Sequence, residues 1–454
     1  MNDLPRLLVI TYHFGADGAV GGLRWAGLTK YLIRRGWEVR VVTAAPPPER
    51  GTPGPDLAAV ESCPRLWTVL DSCRLLRRLA LGSSSGEGSN GWGVAPEPEL
   101  RGVFGALRQE VAALLAFPDE ARGWVCRAAL RARGLLRRFQ PQVVVSSGPP
   151  HAAHLVAGLA TMGSATRWFI DLRDPWGGPL KEAWASDARI GTRVFRVLSP
   201  RLERLAFRAA DGVIANTQQL AAVLAQRYPQ VPMVCVPNGI DPEGLPATPP
   251  QRYPGLSIAY AGTLYAGRDL SPVVRALQTF LARHPDAARA GSKLRVAGRA
   301  EPRYARALHD AVAASGLQPH IEVVGPLPRV QALQLVSRSR LALVLAQEQD
   351  LQIPAKLYEA VAMGVTTLVL APANSAAAVE GKRVGALVCD ATDVEGMARL
   401  FEHVWRDGMQ GWPRCPVPIS YERIAVQVDG LFRNSPAPAS AGVTGSGRSA
   451  RQRA

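Results

Sequence analysis

Short apolar runs that alternate with helical patterns constrain the fold of this chain more than any other feature. Residues 6–14 form an apolar run, a glycine-rich stretch and a helical pattern follow, and residues 38–43 form the next apolar run. This order predicts a strand–helix–strand unit, whose parallel strands place the glycine-rich residues 15–22 at a carboxyl edge of the sheet. Glycine there lets backbone N–H groups approach a bound phosphate.

The glycine spacing argues against one common use of such a unit. A dinucleotide-binding domain carries G-x-G-x-x-G after its first strand and an acidic residue at the end of its second. Here the glycines are Gly15, Gly18, Gly21 and Gly22, and the second strand ends at Thr43. A nicotinamide cofactor is therefore not expected.

The alternation restarts near residue 256, so the chain predicts two doubly wound, parallel α/β domains that face each other across a cleft. Its 454 residues exceed one ordinary core. We predict a first domain over residues 1–237 and a second over residues 238–417. Local composition predicts a flexible Pro/Gly/Ser-rich insertion at residues 46–98 and a disordered Ser/Ala/Gly/Arg-rich tail at residues 434–454.

The composition is typical of a soluble, cytoplasmic protein. Hydrophobic residues make up 47% and charged residues 20% of the chain. It has neither an apolar run of about 18 residues, as a membrane helix requires, nor a signal-peptide pattern. The six cysteines are scattered without a C-x-x-C pair, so we expect reduced thiols and no metal site.

The net charge of +16 is compatible with a nucleic acid, an anionic membrane or a phosphorylated substrate as partner. Nucleic acid is disfavoured because no reading motif and no aromatic residues interleaved with the basic ones are present. The basic helical pattern over residues 127–138 predicts either a helix that lies on anionic lipid or a solvated helix face. Its apolar residues are Ala128, Leu130, Leu135 and Leu136.

Several candidate functional residues follow predicted strands. His151 follows the strand at residues 142–147 and is either a packed residue or a catalytic one. Arg268 follows the strand that begins at residue 256, and a guanidinium can pair with two oxygens of a diphosphate. After the strand at residues 341–345, Lys356 and Glu359 lie on one face of a helix that opens near Pro354. A helix N-terminus at a strand's carboxyl end attracts anions.

Six motifs in order resemble a known family: the glycine-rich first loop, SSGPPH, DLRDPW, VPNGID, AGTLYAGR and IPAKLYEAVAMG. Together they resemble the retaining glycosyltransferases of family 4, which have two Rossmann-like domains (the GT-B fold). DLRDPW and IPAKLYE are similar to the subgroup that builds bacterial surface polysaccharides. The resemblance covers residues 6–432 except residues 46–98.

The resemblance implies a nucleotide-sugar donor, held mainly by the second domain, and an acceptor, held mainly by the first. It implies transfer without a metal ion, and no D-x-D triplet occurs. It also implies that a helix within residues 418–433 crosses back to the first domain. Together with the basic helices, it leads us to expect a lipid-linked acceptor and peripheral binding to the cytoplasmic membrane surface.

Individual roles follow from the same resemblance. Glu359 would bind the ribose of the donor, and Arg268, supported by Lys356, would bind its diphosphate. Gly21 and Gly22 would let the first loop approach the diphosphate, and His151 would lie near the transferred sugar.

Two positions depart from the family pattern. Leu351 replaces a frequent glutamate, and Thr263 replaces a frequent arginine. The alternatives to a transferase are a nucleotide-sugar epimerase of the same architecture and a catalytically silent scaffold that binds sugar or lipid.

Overall fold

Two parallel sheets organise this computed structural model. It describes residues 4–15, 20–46, 56–69, 71–73, 75–76, 103–177, 191–246, 251–265, 267–406 and 420–434. Residues 47–55 and 77–98 of the predicted insertion and residues 435–454 of the predicted tail lie outside this part of the chain. Among the described residues, no helix combines the length and the apolar character needed to span a bilayer.

Seven parallel strands form the first sheet, in the order β3-β2-β1-β4-β5-β6-β7. They are β1 (Arg6–Thr11), β2 (Glu38–Thr43), β3 (Ala59–Ser62), β4 (Val143–Gly148), β5 (Arg167–Leu172), β6 (Gly212–Ala215) and β7 (Met233–Cys235). The accompanying helices are α1 (Val20–Arg34), α2 (Val103–Ala116), α3 (Val125–Arg138), α4 (Ala152–Thr161), α5 (Arg193–Ala209) and α6 (Gln218–Arg227). Both sheet faces are buried, since Leu8 and Leu7 belong to two different apolar clusters.

Six parallel strands form the second sheet, in the order β10-β9-β8-β11-β12-β13. They are β8 (Ser257–Ala261), β9 (Lys293–Ala297), β10 (Ile321–Gly325), β11 (Leu341–Leu345), β12 (Thr366–Leu370) and β13 (Leu387–Cys389). The helices are α7 (Ser271–Arg283), α8 (Pro285–Arg289), α9 (Pro302–Ser315), α10 (Arg329–Ser337), α11 (Lys356–Ala362), α12 (Ala376–Arg383) and α13 (Val394–Arg406). The predicted doubly wound α/β architecture is confirmed.

The strand order reverses once in each sheet, between β1 and β4 and between β8 and β11. At such a reversal the loops on either side diverge and leave a crevice beyond the carboxyl ends of the strands. Ligands bind in crevices of this kind in open α/β sheets. The four loops after these strands are therefore where a functional site is expected.

One sequence prediction is wrong in part. The segment predicted as a flexible insertion contains β3, which pairs in parallel with β2 through Arg40 and Ala59. The surrounding proline and glycine residues obscured the strand pattern of these four residues in the sequence. The basic helix α3, expected either to lie on anionic lipid or to present a solvated face, buries Ala128 and Leu135 in the first-domain core, while Leu130 is exposed. Its binding to a membrane stays a prediction.

The final helix, α14 (Tyr421–Asn434), packs against α1 of the first domain. It buries Tyr421, Ile424, Val428 and Phe432 in the same apolar cluster as Trp25 of α1. The contact needs a glycine, because a Cβ atom at Gly27 in α1 would overlap the ring of Tyr421.

Replacing Gly27 by alanine tests this helix contact. Overpacking of this kind costs about 1–3 kcal/mol, so we expect the free energy of unfolding to fall by that amount in urea denaturation. Gly430→Ala in α14 is the matched control, because an added Cβ atom there meets no heavy atom within 4 Å. Better helix propensity should make that variant more stable, by up to about 1 kcal/mol. Equal effects of the two substitutions would contradict the contact.

Candidate active site

The predicted site residues all lie in the segments that follow the four strands at the reversals. Gly21 and Gly22 follow β1, and His151 follows β4. Arg268 follows β8, while Lys356 and Glu359 follow β11. The structure thus places all of these residues on the carboxyl edges of the two sheets. Their roles in binding or catalysis stay predictions.

A fully buried ion pair between Arg24 and Asp171 joins α1 to the end of β5 (Nη2–Oδ1 3.0 Å). Burial acts to raise the pKa of Asp171, but Arg24 and two further donors outweigh it and hold that pKa below its usual value. The two donors are Ser147 Oγ (2.7 Å) and Trp25 Nε1 (2.8 Å). The motif DLRDPW therefore supplies a structural carboxylate at Asp171, which is not open to substrate.

The same guanidinium holds the segment that leads into the second domain. Arg24 donates to Val236 O (2.8 Å), Pro237 O (2.7 Å) and Asn238 Oδ1 (3.1 Å). Arg24 was not identified from the sequence. An arginine within an otherwise apolar helix pattern was the available signal, because a buried charge requires partners.

The glycine pair lies in the first turn of α1, not in the preceding loop. A Cβ atom at Gly21 would lie 2.8 Å from Arg173 Nη1, and one at Gly22 would lie 2.7 Å from Gly15 O. Close contacts within the protein account for both glycines. The helix α1 begins at Val20, earlier than the glycine-rich composition predicts. Arg173 in turn donates to the carbonyls of Gly148 (3.1 Å) and Pro149 (2.5 Å).

His151 packs against the side chains that follow β5. It precedes α4, is 5% exposed, and stacks on the ring of Trp176 with centroids 5.1 Å apart. His154, one turn later, is fully buried and pairs with Ser146 Oγ through Nδ1 (2.9 Å). Burial lowers the pKa of His154 to about 3, so this imidazole is neutral at physiological pH. The positions of both rings are therefore determined by packing.

Glu203 of α5 holds the loop that carries Trp176. Its carboxylate accepts hydrogen bonds from Gly177 N (2.9 Å) and Tyr228 Oη (2.5 Å), and Arg227 lies 3.3 Å away. Burial raises the pKa of Glu203. This carboxylate fixes the backbone next to the ring on which His151 stacks.

On the second domain, Arg268 lies over the ring of Tyr265, with the guanidinium carbon 4.5 Å from the ring centroid. Its Nη2 donates to Gln349 Oε1 (3.0 Å), and its buried Nε has no hydrogen-bond partner among the described residues. The Nε2 of Gln349, a residue only 3% exposed, is likewise unpartnered there. Buried donors of this kind are rare unless a ligand or water satisfies them.

The Lys356 ammonium occupies the space above Gly262, where a Cβ atom would overlap it. It lies 5.4 Å from the centroid of the Tyr260 ring. Burial, and then the charge of Arg268, lower the pKa of Lys356 to about 7, although Glu359 opposes this. Two cations close enough to repel each other make this loop cluster suitable for an anion.

Glu359, in the first turn of α11, forms an ion pair with Arg329 of α10 (Oε1–Nη2 2.7 Å). Sequence reasoning missed Arg329, although a cation that opens a helix after β10 was a visible signal. Burial raises the pKa of Tyr421 to about 12. The charges of Arg24 and Arg173 act to lower this pKa, and the charge of Glu359 acts to raise it. Charged groups of both domains therefore surround the start of α14.

The contacts of Leu351 do not favour a role in binding the donor. Its side chain packs against the first-domain core, and its carbonyl accepts a hydrogen bond from Thr217 Oγ1 (2.6 Å). The next residue, Gln352, donates to Asp174. The loop after β11 thus contacts the first domain at the position where the resembling family often has a glutamate.

Two family models match the chain. The model described as Glycosyltransferase Family 4 matches residues 92–243, and the model described as Glycosyl transferases group 1 matches residues 260–407. The two matches do not overlap and together span about two thirds of the chain. A search of curated protein sequences finds no match.

Solved structures share the fold at low sequence identity. Sucrose-phosphate synthase from Thermosynechococcus elongatus superposes with a TM-score of 0.60 at 13% identity, covering 94% of this chain and 98% of that chain. A glycosyltransferase from Rickettsia africae has a TM-score of 0.52 at 12% identity, covering 96% of this chain and 94% of that chain. Anabaena HepE in complex with UDP-glucose has a TM-score of 0.53 at 13% identity, covering 95% of each chain. The chain belongs to the family 4-type glycosyltransferases with the GT-B fold, and it is a transferase.

Proposed function

We propose that this enzyme moves a sugar from a nucleotide-sugar donor to a hydroxyl of a lipid-linked glycan at the cytoplasmic membrane, in surface-polysaccharide synthesis. Transfer proceeds with retention of the anomeric configuration and without a metal ion. One observation carries the donor assignment: among the described residues, no carboxylate forms an ion pair with Arg268 or Lys356. Two partly buried cations close to each other favour a diphosphate. The solved complex of Anabaena HepE with UDP-glucose supports the same donor class.

In the proposed reaction, the bond between the anomeric carbon and the diphosphate oxygen breaks as the acceptor oxygen attacks from the same face. Arg268 and Lys356 stabilise the negative charge on the departing diphosphate. The acceptor proton passes to the leaving phosphate oxygen. Glu359 holds the ribose, and His151 contacts the transferred sugar from the first domain.

A panel of radiolabelled nucleotide sugars, with and without lipid extract, tests this proposal. Lipid-dependent transfer of label is expected. Product formed without an acceptor would instead favour a nucleotide-sugar epimerase of the same architecture. Binding without turnover would favour a silent scaffold.

Arg268→Ala and Glu359→Ala should each lower kcat/KM for the donor by about 10²–10³, the usual cost of removing one preorganised partner of the reacting charge or of the bound nucleotide. The matched control is Arg275→Ala in α7, an exposed arginine outside the loops after β8 and β11. It should keep normal turnover. Normal turnover in both site variants would contradict the assignment.

The affinity for a nucleotide sugar should depend on pH through Lys356. Its pKa of about 7 in the free enzyme means that the ammonium is present below pH 7 and is lost as the pH rises. A bound diphosphate favours the charged form, so the dissociation constant measured by calorimetry should increase from pH 6 to pH 8.5. Lys356→Arg should flatten this dependence, and Lys356→Met should bind weakly at both pH values. An unchanged profile in Lys356→Met would exclude this role.

A further inference from the structure

We propose that Gln349 binds an oxygen of the donor's diphosphate through its amide Nε2. The residue lies in the loop between β11 and α11, and it is only 3% exposed. It was not among the candidate residues predicted from the sequence. This role rests on the proposed nucleotide-sugar donor and adds to that site a binding group that carries no charge.

The hydrogen bond from Arg268 determines which end of the Gln349 amide is available to a ligand. Arg268 Nη2 lies 3.0 Å from Gln349 Oε1. A guanidinium only donates, so the oxygen of the amide has to face it and the NH₂ group has to face elsewhere. That Nε2 is buried and has no hydrogen-bond partner among the described residues. The available group is therefore a donor, and a ligand that satisfies it must present an acceptor oxygen.

A second buried donor lies on the side chain that Gln349 contacts. Arg268 Nε is also without a hydrogen-bond partner in the described part of the chain. The guanidinium carbon of this arginine lies 4.5 Å from the centroid of the Tyr265 ring. A buried donor left unpaired costs more free energy than a hydrogen bond normally contributes, so two of them on bonded side chains indicate a ligand position. The guanidinium charge favours an anionic oxygen over a neutral hydroxyl there.

A neighbouring glutamine of the same loop has both ends of its amide paired within the protein. Gln347 accepts a hydrogen bond from Asp269 N and donates one to Asp269 O, both at 2.8 Å. These two bonds join the loop after β11 to the segment after β8. Because Gln347 already makes this connection, joining the two segments does not require a buried Gln349 with an unpaired Nε2.

The backbone that follows Gln349 is held at two successive residues. Asp350 O accepts a hydrogen bond from Ala376 N (2.8 Å) at the start of α12, and Leu351 O accepts one from Thr217 Oγ1 (2.6 Å). A donor that is held in place before the ligand arrives loses little conformational entropy on binding. The amide of Gln349 is therefore preorganised for a phosphate oxygen.

Calorimetry on the full-length protein tests this role, with inorganic pyrophosphate and with the diphosphates of uridine, thymidine, guanosine and adenosine and their glucose conjugates as probes. For every probe that the wild type binds, Gln349→Met should raise the dissociation constant about ten- to hundredfold, the range for one hydrogen bond to a charged group. The unfolding temperature of the free variant should change little, because the substitution removes one hydrogen bond and one unpaired buried donor together. Gln349→Glu should bind more weakly still, since its carboxylate would pair with Arg268 and repel the diphosphate.

Two other glutamines provide matched controls. Gln278→Met in α7 removes an exposed amide that donates to Ser315 O (3.2 Å), and this variant should bind every probe like the wild type. Gln347→Met should lower the unfolding temperature, because two backbone groups of Asp269 lose their partners.

Wild-type affinity in Gln349→Met would overturn the role of Gln349 and leave the proposed donor class standing. A loss confined to the glucose conjugates would also overturn it, because the amide would then contact the sugar. So would a loss of affinity accompanied by a fall in unfolding temperature as large as that of Gln347→Met, which would indicate a structural role. If the wild type binds none of the probes, the proposed donor class fails and the role of Gln349 fails with it.

Discussion

The buried ion pair between Arg24 and Asp171 is the interaction on which the rest of this structure depends. A single guanidinium connects α1, the end of β5 and the segment that leads into the second domain through Asn238. A buried pair of this kind adds little net stability, but removing one partner leaves an unpaired charge and costs about 3–5 kcal/mol. It holds the segment Val236–Asn238, through which the chain leaves the first sheet, against α1 and the end of β5.

The two walls of the cleft differ in how their charges are satisfied. On the first wall, protein groups donate hydrogen bonds to Asp171 and Glu203, and His154 is neutral. On the second wall, Arg268 and Lys356 have no carboxylate partner among the described residues. Repulsion between these two cations raises the energy of the folded protein, and a bound anion would relieve it.

The loop after β11 contacts both walls of the cleft. Gln349 faces Arg268, whereas Leu351 and the following residue contact the first domain through Thr217 and Asp174. An apolar residue at this position lets the loop pack on the first-domain core, which a carboxylate would do only at a desolvation cost. The proposed recognition of the donor and the contact between the domains therefore involve the same few residues.

The sequence by itself determined the two doubly wound sheets and the strands after which the candidate residues lie, because hydrophobic periodicity and glycine or proline punctuation are local signals. It also placed His151, Arg268 and Glu359 at carboxyl edges. Only the tertiary structure decided which charges are paired, such as Arg329 with Glu359, and which apolar faces are covered. Hence α3 buries Ala128 and Leu135, while α2 presents Leu107, Val111 and Leu114 outward. These outcomes depend on contacts between residues far apart in the chain, which local periodicity does not encode.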